Sequence, residues 1–258
     1  MASSSNRKLE AEPPRSHSRV EDLVTEALDE LASRSSVRPK IDERFLVPLI
    51  RSVIGTDANA RCAVIDSMLM HGVPPDDICD FYIPEAARRL GGGWEDDSLS
   101  FAVVSVAVAR LQGCLRDLVP VEDVPRGDRM GAPAVVVVSD RYHTLGSMVL
   151  TAQLRRVGIS VRLLLGRTPE DACAIVSTGD YDAVLLSVAQ FDDLDEVAAL
   201  VNGLRLAMGA TALIIIGGGA LGAGADQVRE KTGADLATND LTEVISQARL
   251  ASNRANAT

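Results

Sequence analysis

One histidine stands where a fold of alternating strands and helices would use it. The segment Val135-Val136-Val137-Val138-Ser139-Asp140-Arg141-Tyr142-His143-Thr144-Leu145-Gly146 reads as a buried strand running into a turn, with a glycine three residues after the histidine. Ligand sites of parallel α/β folds lie at the carboxyl ends of strands. A lone histidine there is often only a hydrogen-bonded loop residue, but a neutral imidazole so placed is also a natural axial ligand for a metal tetrapyrrole. The chain has only three histidines. His71 precedes Gly72 at a helix end, where it suits the helix dipole, and His17 falls in a polar N-terminal stretch.

Two further turns belong to the same edge. Ser187-Val188-Ala189-Gln190 follows a later apolar run, and Gly217-Gly218-Gly219 follows the next. Small residues leave room where a loop would otherwise crowd a ligand, and glycine permits close backbone approach. The glycine run alone is weak, being equally a strand-to-helix turn without the spacing of a dinucleotide or P-loop fingerprint. Other chemistries fit less well. A phosphoacceptor receiver domain needs an aspartate at the end of the third strand, and Ser187 stands there. No GxSxG elbow or Ser/His/Asp order supports a hydrolase.

The elements that must hold these turns follow from hydrophobic period. After a charged link at Pro120–Pro133, β-branched runs alternate with helical segments: Ala134–Ser139, a helix Leu145–Val157, Val161–Leu165, a helix from Pro169, Ala183–Val188, a helix Leu194–Met208, Ala212–Ile216, a helix near Ala225–Thr232, a short strand near Leu236 and a helix from Leu241. Wholly apolar strands imply a sheet covered on both faces. The expected fold is α/β: an N-terminal helical bundle followed by a flavodoxin-like, doubly wound five-stranded parallel sheet.

Upstream, every periodic segment from about Ile41 to Leu118 is helical. Gly55 and Gly72 end the first two helices, Pro74-Pro75-Asp76-Asp77 opens a third, and Gly91-Gly92-Gly93 is expected to stop it. Phe101, Val104, Val108, Leu111, Leu115 and Leu118 form an apolar seam expected to face the core. The division expected is a disordered tail at 1–19, a helical cap bundle at 20–120 with a leading helix Val20–Ser33, and the α/β domain at 132–252.

Composition narrows the setting. The chain has 258 residues, 47% hydrophobic, with a formal charge of −10. That charge disfavours direct DNA contact, since phosphate neutralisation dominates such affinity, and no helix-turn-helix signature is present. Cys62, Cys79, Cys114 and Cys173 lack CxxC spacing and lie in apolar or helical contexts, so they are expected to be reduced core residues. No run of about 18 apolar residues and no apolar signal core occur, which makes the cytoplasm the expected location and excludes a membrane role.

A histidine–x–x–glycine after the first strand, a serine after the third and a glycine pair after the fourth resemble the cobalamin-binding (B12-binding) domain superfamily. Leu90-Gly91-Gly92-Gly93-Trp94-Glu95-Asp96-Asp97, followed by a serine-containing helix, is similar to the cap bundle preceding those domains. The resemblance spans about residues 41–250. It implies cobalamin with His143 as lower axial and metal ligand, Thr144 and Gly146 among the cofactor-binding residues, and the nucleotide tail beside Ser187 and Gly217, Gly218 and Gly219. Trp94 would be either a shield for the upper face or a buried core anchor.

Within the superfamily, Trp94-Glu95-Asp96-Asp97-Ser98-Leu99-Ser100-Phe101, Arg110-Leu111-Gln112 and Tyr142-His143-Thr144-Leu145-Gly146 most resemble the PpaA/AerR photosynthesis antirepressor group. That resemblance implies a non-enzymatic, light- or redox-responsive regulator whose partner is a repressor of PpsR/CrtJ type acting on photosystem genes. The alternative is the corrinoid subunit of a methyltransferase system.

Two departures carry meaning. Arg141 stands where corrinoid domains usually place an aspartate two residues before the histidine, and a guanidinium cannot accept the hydrogen bond that raises ligand basicity. Val103-Val104-Ser105-Val106 lacks the Glu-His pair of adenosyl-holding photoreceptors. The combination favours hydroxo- or aquocobalamin over the adenosyl form, with heme as the alternative cofactor.

Overall fold

Proline and aspartate set the boundaries of the first described helices. In the computed structural model, which describes residues 40–119, 134–139, 143–209 and 213–255, Asp42 caps helix α1 (Glu43–Ile54) by accepting from the Arg44 backbone N–H at 2.9 Å. Asp57 does the same for α2 (Ala58–Met70), accepting from Asn59 at 2.8 Å. Such caps satisfy donors that have no intrahelical partner. At the end of α2, His71 turns its Nδ1 to the Ser67 carbonyl oxygen at 2.7 Å. The expected leading helix, the tail at 1–19 and the link at 120–133 lie outside the described residues.

The third helix departs from the sequence expectation twice. A short turn α3 (Pro75–Asp77) runs through a π-helical stretch, Ile78–Tyr82, into α4 (Ile83–Glu95). Pro84 has no N–H to give the Asp80 carbonyl, and its ring would press on that oxygen. The turn widens instead, and the Ile83 N–H bonds the Ile78 carbonyl five residues back. The second departure is Gly91-Gly92-Gly93, which continues α4 rather than stopping it. Of the three, only Gly93 is closely packed, Gly91 and Gly92 facing open space. A Cβ on Gly93 would stand 2.9 Å from the Leu99 side chain, which folds back over the helix as Leu99 N–H and Ser98 Oγ donate to the Gly93 carbonyl.

Helix α5 (Phe101–Leu118) supplies the bundle's centre through Ala107, Leu111, Cys114 and Leu115. Leu111 is fully buried and meets Leu46, Leu49, Met68 and Leu90 in one cluster, each such burial contributing roughly 1.5–3 kcal/mol. Phe101 is a correction to the expected seam. It is 64% exposed and packs edge-on against Trp94 at 5.9 Å between ring centroids. Cys62 is another: it is exposed, because the turns of α2 before Ile65 reach beyond the bundle contact. Cys79 and Cys114 are buried, Cys173 is half-buried, and all of these cysteines are free thiols.

The remaining described chain builds β1 (Ala134–Ser139), α6 (Thr144–Arg156), β2 (Ser160–Leu165), α7 (Pro169–Ser177), β3 (Ala183–Ser187), α8 (Leu194–Met208), β4 (Leu213–Gly217), a 3-10 turn Gly219–Ala223, α9 (Ala225–Thr232), β5 (Leu236–Ala237) and α10 (Leu241–Ala255). The strands form one five-stranded sheet in the order β2-β1-β3-β4-β5, with every pair parallel. Val136, Val184 and Ile214 pack with Val176, Val201 and Val228, which puts α7, α8 and α9 on one face. Helices α6 and α10 cover the other, packing on β1 with β2 and on β4 respectively. Both faces are covered, which is why the strands are apolar throughout. The fold is therefore the doubly wound α/β sheet with helices ahead of it. Among the described residues no helix is long and apolar enough to cross a membrane.

Candidate functional site

In this strand order the direction of winding reverses between β1 and β3, and the crevice outside the carboxyl ends of those strands is where open α/β sheets bind ligands. Register brings the turns together there. Ser139 pairs with Ser187 across β1 and β3, and Ser187 with Gly217 across β3 and β4. The last residues of three adjacent strands are thus serine, serine and glycine in one row.

His143 rises beside this row. It is the N-cap position of α6, is exposed, and its ring does not cap the helix. Gly146, one turn in, is also exposed, and a Cβ built on it would meet nothing within 4 Å. Gly146, one turn along from His143, therefore faces open space. Thr144 is 8% exposed and its Oγ1 accepts from Gln112 Nε2 of α5 at 2.8 Å. The sequence marked Gln112 only within the Arg110-Leu111-Gln112 resemblance and gave it no place in the site; the pairing exists only once α5 and α6 are packed together.

The glycines after β4 are of a different kind. Gly218 has φ +108°, and a Cβ there would stand 2.4 Å from the Val188 carbonyl oxygen. Gly217 and Gly219 are likewise close-packed, against Thr238 and Gln190. These loops lock to each other, with Val188 N–H donating to the Gly217 oxygen at 2.9 Å and Ala220 N–H to the Val188 oxygen at 3.2 Å. Asn239 completes the lock: its Oδ1 accepts from Gly218 N–H at 2.7 Å and its Nδ2 donates to the Gly218 oxygen at 3.2 Å. The polar cluster Thr238-Asn239-Asp240, following a strand at the same edge, is the signal that marks it in the sequence.

Helix α6 also belongs to the bundle. Leu145 and Val149 enter the bundle's core cluster, and at the helix's far end Arg156 pairs with Asp76 at 2.5 Å and Asp80 at 2.6 Å. Burial pushes the Asp80 carboxyl up from its ordinary range, and the Arg156 guanidinium opposes that shift. Burial pushes the neighbouring Cys79 thiol up to about 12, so it carries no thiolate chemistry at neutral pH. The ring contact of Trp94 is with Phe101; its own exposure is 48%, which removes the buried-anchor reading. Asp140, Arg141 and Tyr142 lie outside the described residues.

The donor set fits a metal that arrives inside an organic ring. Among the described residues no group of three His, Cys, Asp or Glu side chains is placed to hold a metal ion. One imidazole serves a metal when its other positions are filled from elsewhere, as the ring nitrogens of a tetrapyrrole fill them. The open approach at Gly146 leaves space for such a group beside the aligned strand ends.

No family model matches the chain. Among solved structures it is similar to the monomethylamine corrinoid protein of Methanosarcina barkeri, with a TM-score of 0.64 at 14% identity over 81% of this chain and 99% of that one. A cobalamin-binding protein of Desulfitobacterium hafniense DCB-2 aligns over 82% of this chain and 99% of its own, with a TM-score of 0.39 and 17% identity. The first of these establishes a shared fold. A Rhodobacter capsulatus protein described as the uncharacterized 20.5 kDa protein in the bchF-crtJ intergenic region is 36% identical over 179 residues, 68% of this chain and 92% of the relative. An identity of that level over nearly the whole relative means that this chain belongs to the family of the bchF-crtJ intergenic protein.

Proposed function

We propose that the protein is a cobalamin-binding, light- or redox-responsive regulator of the cytoplasm, acting without catalysis as an antirepressor on a PpsR/CrtJ-type repressor of photosystem genes. The observation that carries the cofactor reading is the exposed His143 beside open space at Gly146, on the edge where Ser187 and Gly217 align. Likeness of fold to a corrinoid protein supports it. The regulatory reading draws on the PpaA/AerR resemblance and on the relative's position beside crtJ, a gene named for that type of repressor.

When bound, the cofactor would supply a metal centre responsive to light or redox state, held by His143. The chain's own part is to carry that response away from the sheet edge. Helix α6 begins at the residue after His143 and is fixed to the bundle by Gln112 on Thr144, by Leu145 and Val149 in the core, and by Arg156 on Asp76 and Asp80. A shift of the imidazole therefore moves a helix that the bundle grips along its length. Such a device works only where ligand states bind the two conformations differently.

The test uses full-length protein loaded with hydroxocobalamin or heme, mixed with the repressor in light and in darkness, with and without reductant. Complex formation is expected to depend on the state of the loaded cofactor. Identical complexes under every condition overturn the regulatory reading. Efficient methyl transfer out of methylcobalamin-loaded protein would instead favour a methyltransferase corrinoid subunit, which shares the fold.

A further inference from the structure

Helix α6 buries a hydroxyl that does nothing in the protein itself. Ser147 is 1% exposed, and its Oγ has no hydrogen-bond partner. Among the described residues the other buried Ser and Thr hydroxyls are all engaged. Ser52 donates to the Leu49 oxygen at 2.8 Å, Thr151 to the Ser147 oxygen at 2.7 Å and Thr232 to the Val228 oxygen at 2.7 Å, while Thr144 accepts from Gln112 at 2.8 Å. Ser147 could bond back along its helix as Thr151 and Thr232 do, yet it does not. Leaving a buried hydroxyl unpaired opposes folding, so a chain that keeps one there has another use for it.

Its position indicates the use. Ser147 lies one turn below His143, about 6 Å along the helix axis. Leu145 and Val149 point into the bundle core. Ser147, Thr151 and Leu154, at i, i+4 and i+7, share a different stripe of the same helix, all of them buried. Helix α6 also packs on β1 and β2, so this stripe faces the sheet. Gly146, immediately before Ser147, fronts open space. A macrocycle held at His143 is too broad to pass between a helix and the sheet it covers, whereas a slender arm attached to the macrocycle can.

We infer that the Ser147 hydroxyl is a binding residue, pairing with a polar atom on the slender arm of the ligand held at His143. The inference rests on the cobalamin reading above, in which that arm is the nucleotide tail. It assigns Ser147 to ligand recognition rather than to folding, and the two roles predict opposite behaviour of the same substitution.

Ser147→Ala separates them. Affinity is read by absorbance titration with hydroxocobalamin and, in parallel, with aquocobinamide, which has the same ring without the nucleotide. The substitution is expected to weaken hydroxocobalamin binding about tenfold, the loss of one buried hydrogen bond, and to leave cobinamide binding unchanged. The urea midpoint of the ligand-free protein is expected to stay the same or rise. Equal hydroxocobalamin affinity for wild type and variant overturns the inference, as would a lower midpoint of the ligand-free variant or an equal loss for both ligands. Failure of the wild type to bind hydroxocobalamin at all overturns the cofactor reading and this inference with it.

Discussion

Replacing His143 with alanine is expected to abolish the histidine-ligated absorbance of hydroxocobalamin-loaded protein and to weaken binding by at least about a hundredfold. The magnitude follows from coordination chemistry: loss of a residue that merely orients a metal ligand costs roughly 10–100-fold, and loss of the ligand itself costs more. The ligand-free variant is expected to remain folded, with a cooperative urea transition, because the side chain is exposed and does not cap α6. The two readouts together are diagnostic. A variant that folds normally and retains the wild-type spectrum places the metal elsewhere, and running the same pair with heme decides which tetrapyrrole the imidazole serves. Exogenous imidazole is expected to restore part of the spectrum, since the space beside Gly146 is open.

What the sequence made legible was whatever depends on period and punctuation. Runs such as Val135–Val138 and Ile214–Ile216 announce strands buried on both faces, and the structure pairs them in one parallel sheet. Places where a local signal met tertiary packing were not legible. Three glycines read as a helix stop, but the helix runs through them and Leu99 folds back onto the last, Gly93. The π turn at Ile78–Tyr82 is set by Pro84, two residues beyond its end. Phe101 has the spacing of a core residue, yet the aromatic partner it finds is Trp94 at the bundle's surface. At the sheet edge, His143, Ser187 and the glycines are marked by their places after strands. Asn239 carries a weaker mark, the polar cluster after β5, whereas Gln112 and Ser147 are defined by a neighbour distant in sequence and by the absence of one.

The glycines of the edge divide into two physical classes, and alanine tells them apart. Gly218→Ala is expected to lower the unfolding free energy by about 3 kcal/mol or more, seen as a lower urea midpoint with the cofactor absent. Gly218 has φ +108° and ψ −163°, a region that residues with a Cβ avoid at a cost of about 1–3 kcal/mol. The new methyl group would also stand 2.4 Å from the Val188 oxygen and 3.1 Å from the Val188 nitrogen. Val188 cannot withdraw freely, because that oxygen and nitrogen bond Ala220 and Gly217. Gly146→Ala is the counterpart. It places a methyl group on an exposed helical position facing nothing within 4 Å, so the ligand-free protein is expected to gain roughly 0.5–1 kcal/mol from the better helix former. If the space fronting Gly146 is where the ligand lies against α6, the same methyl group weakens hydroxocobalamin binding while stabilising the empty protein. A Gly146→Ala variant that is both more stable and undiminished in binding would remove that surface from the site, leaving the glycine as a helix-weakening residue without a purpose in recognition.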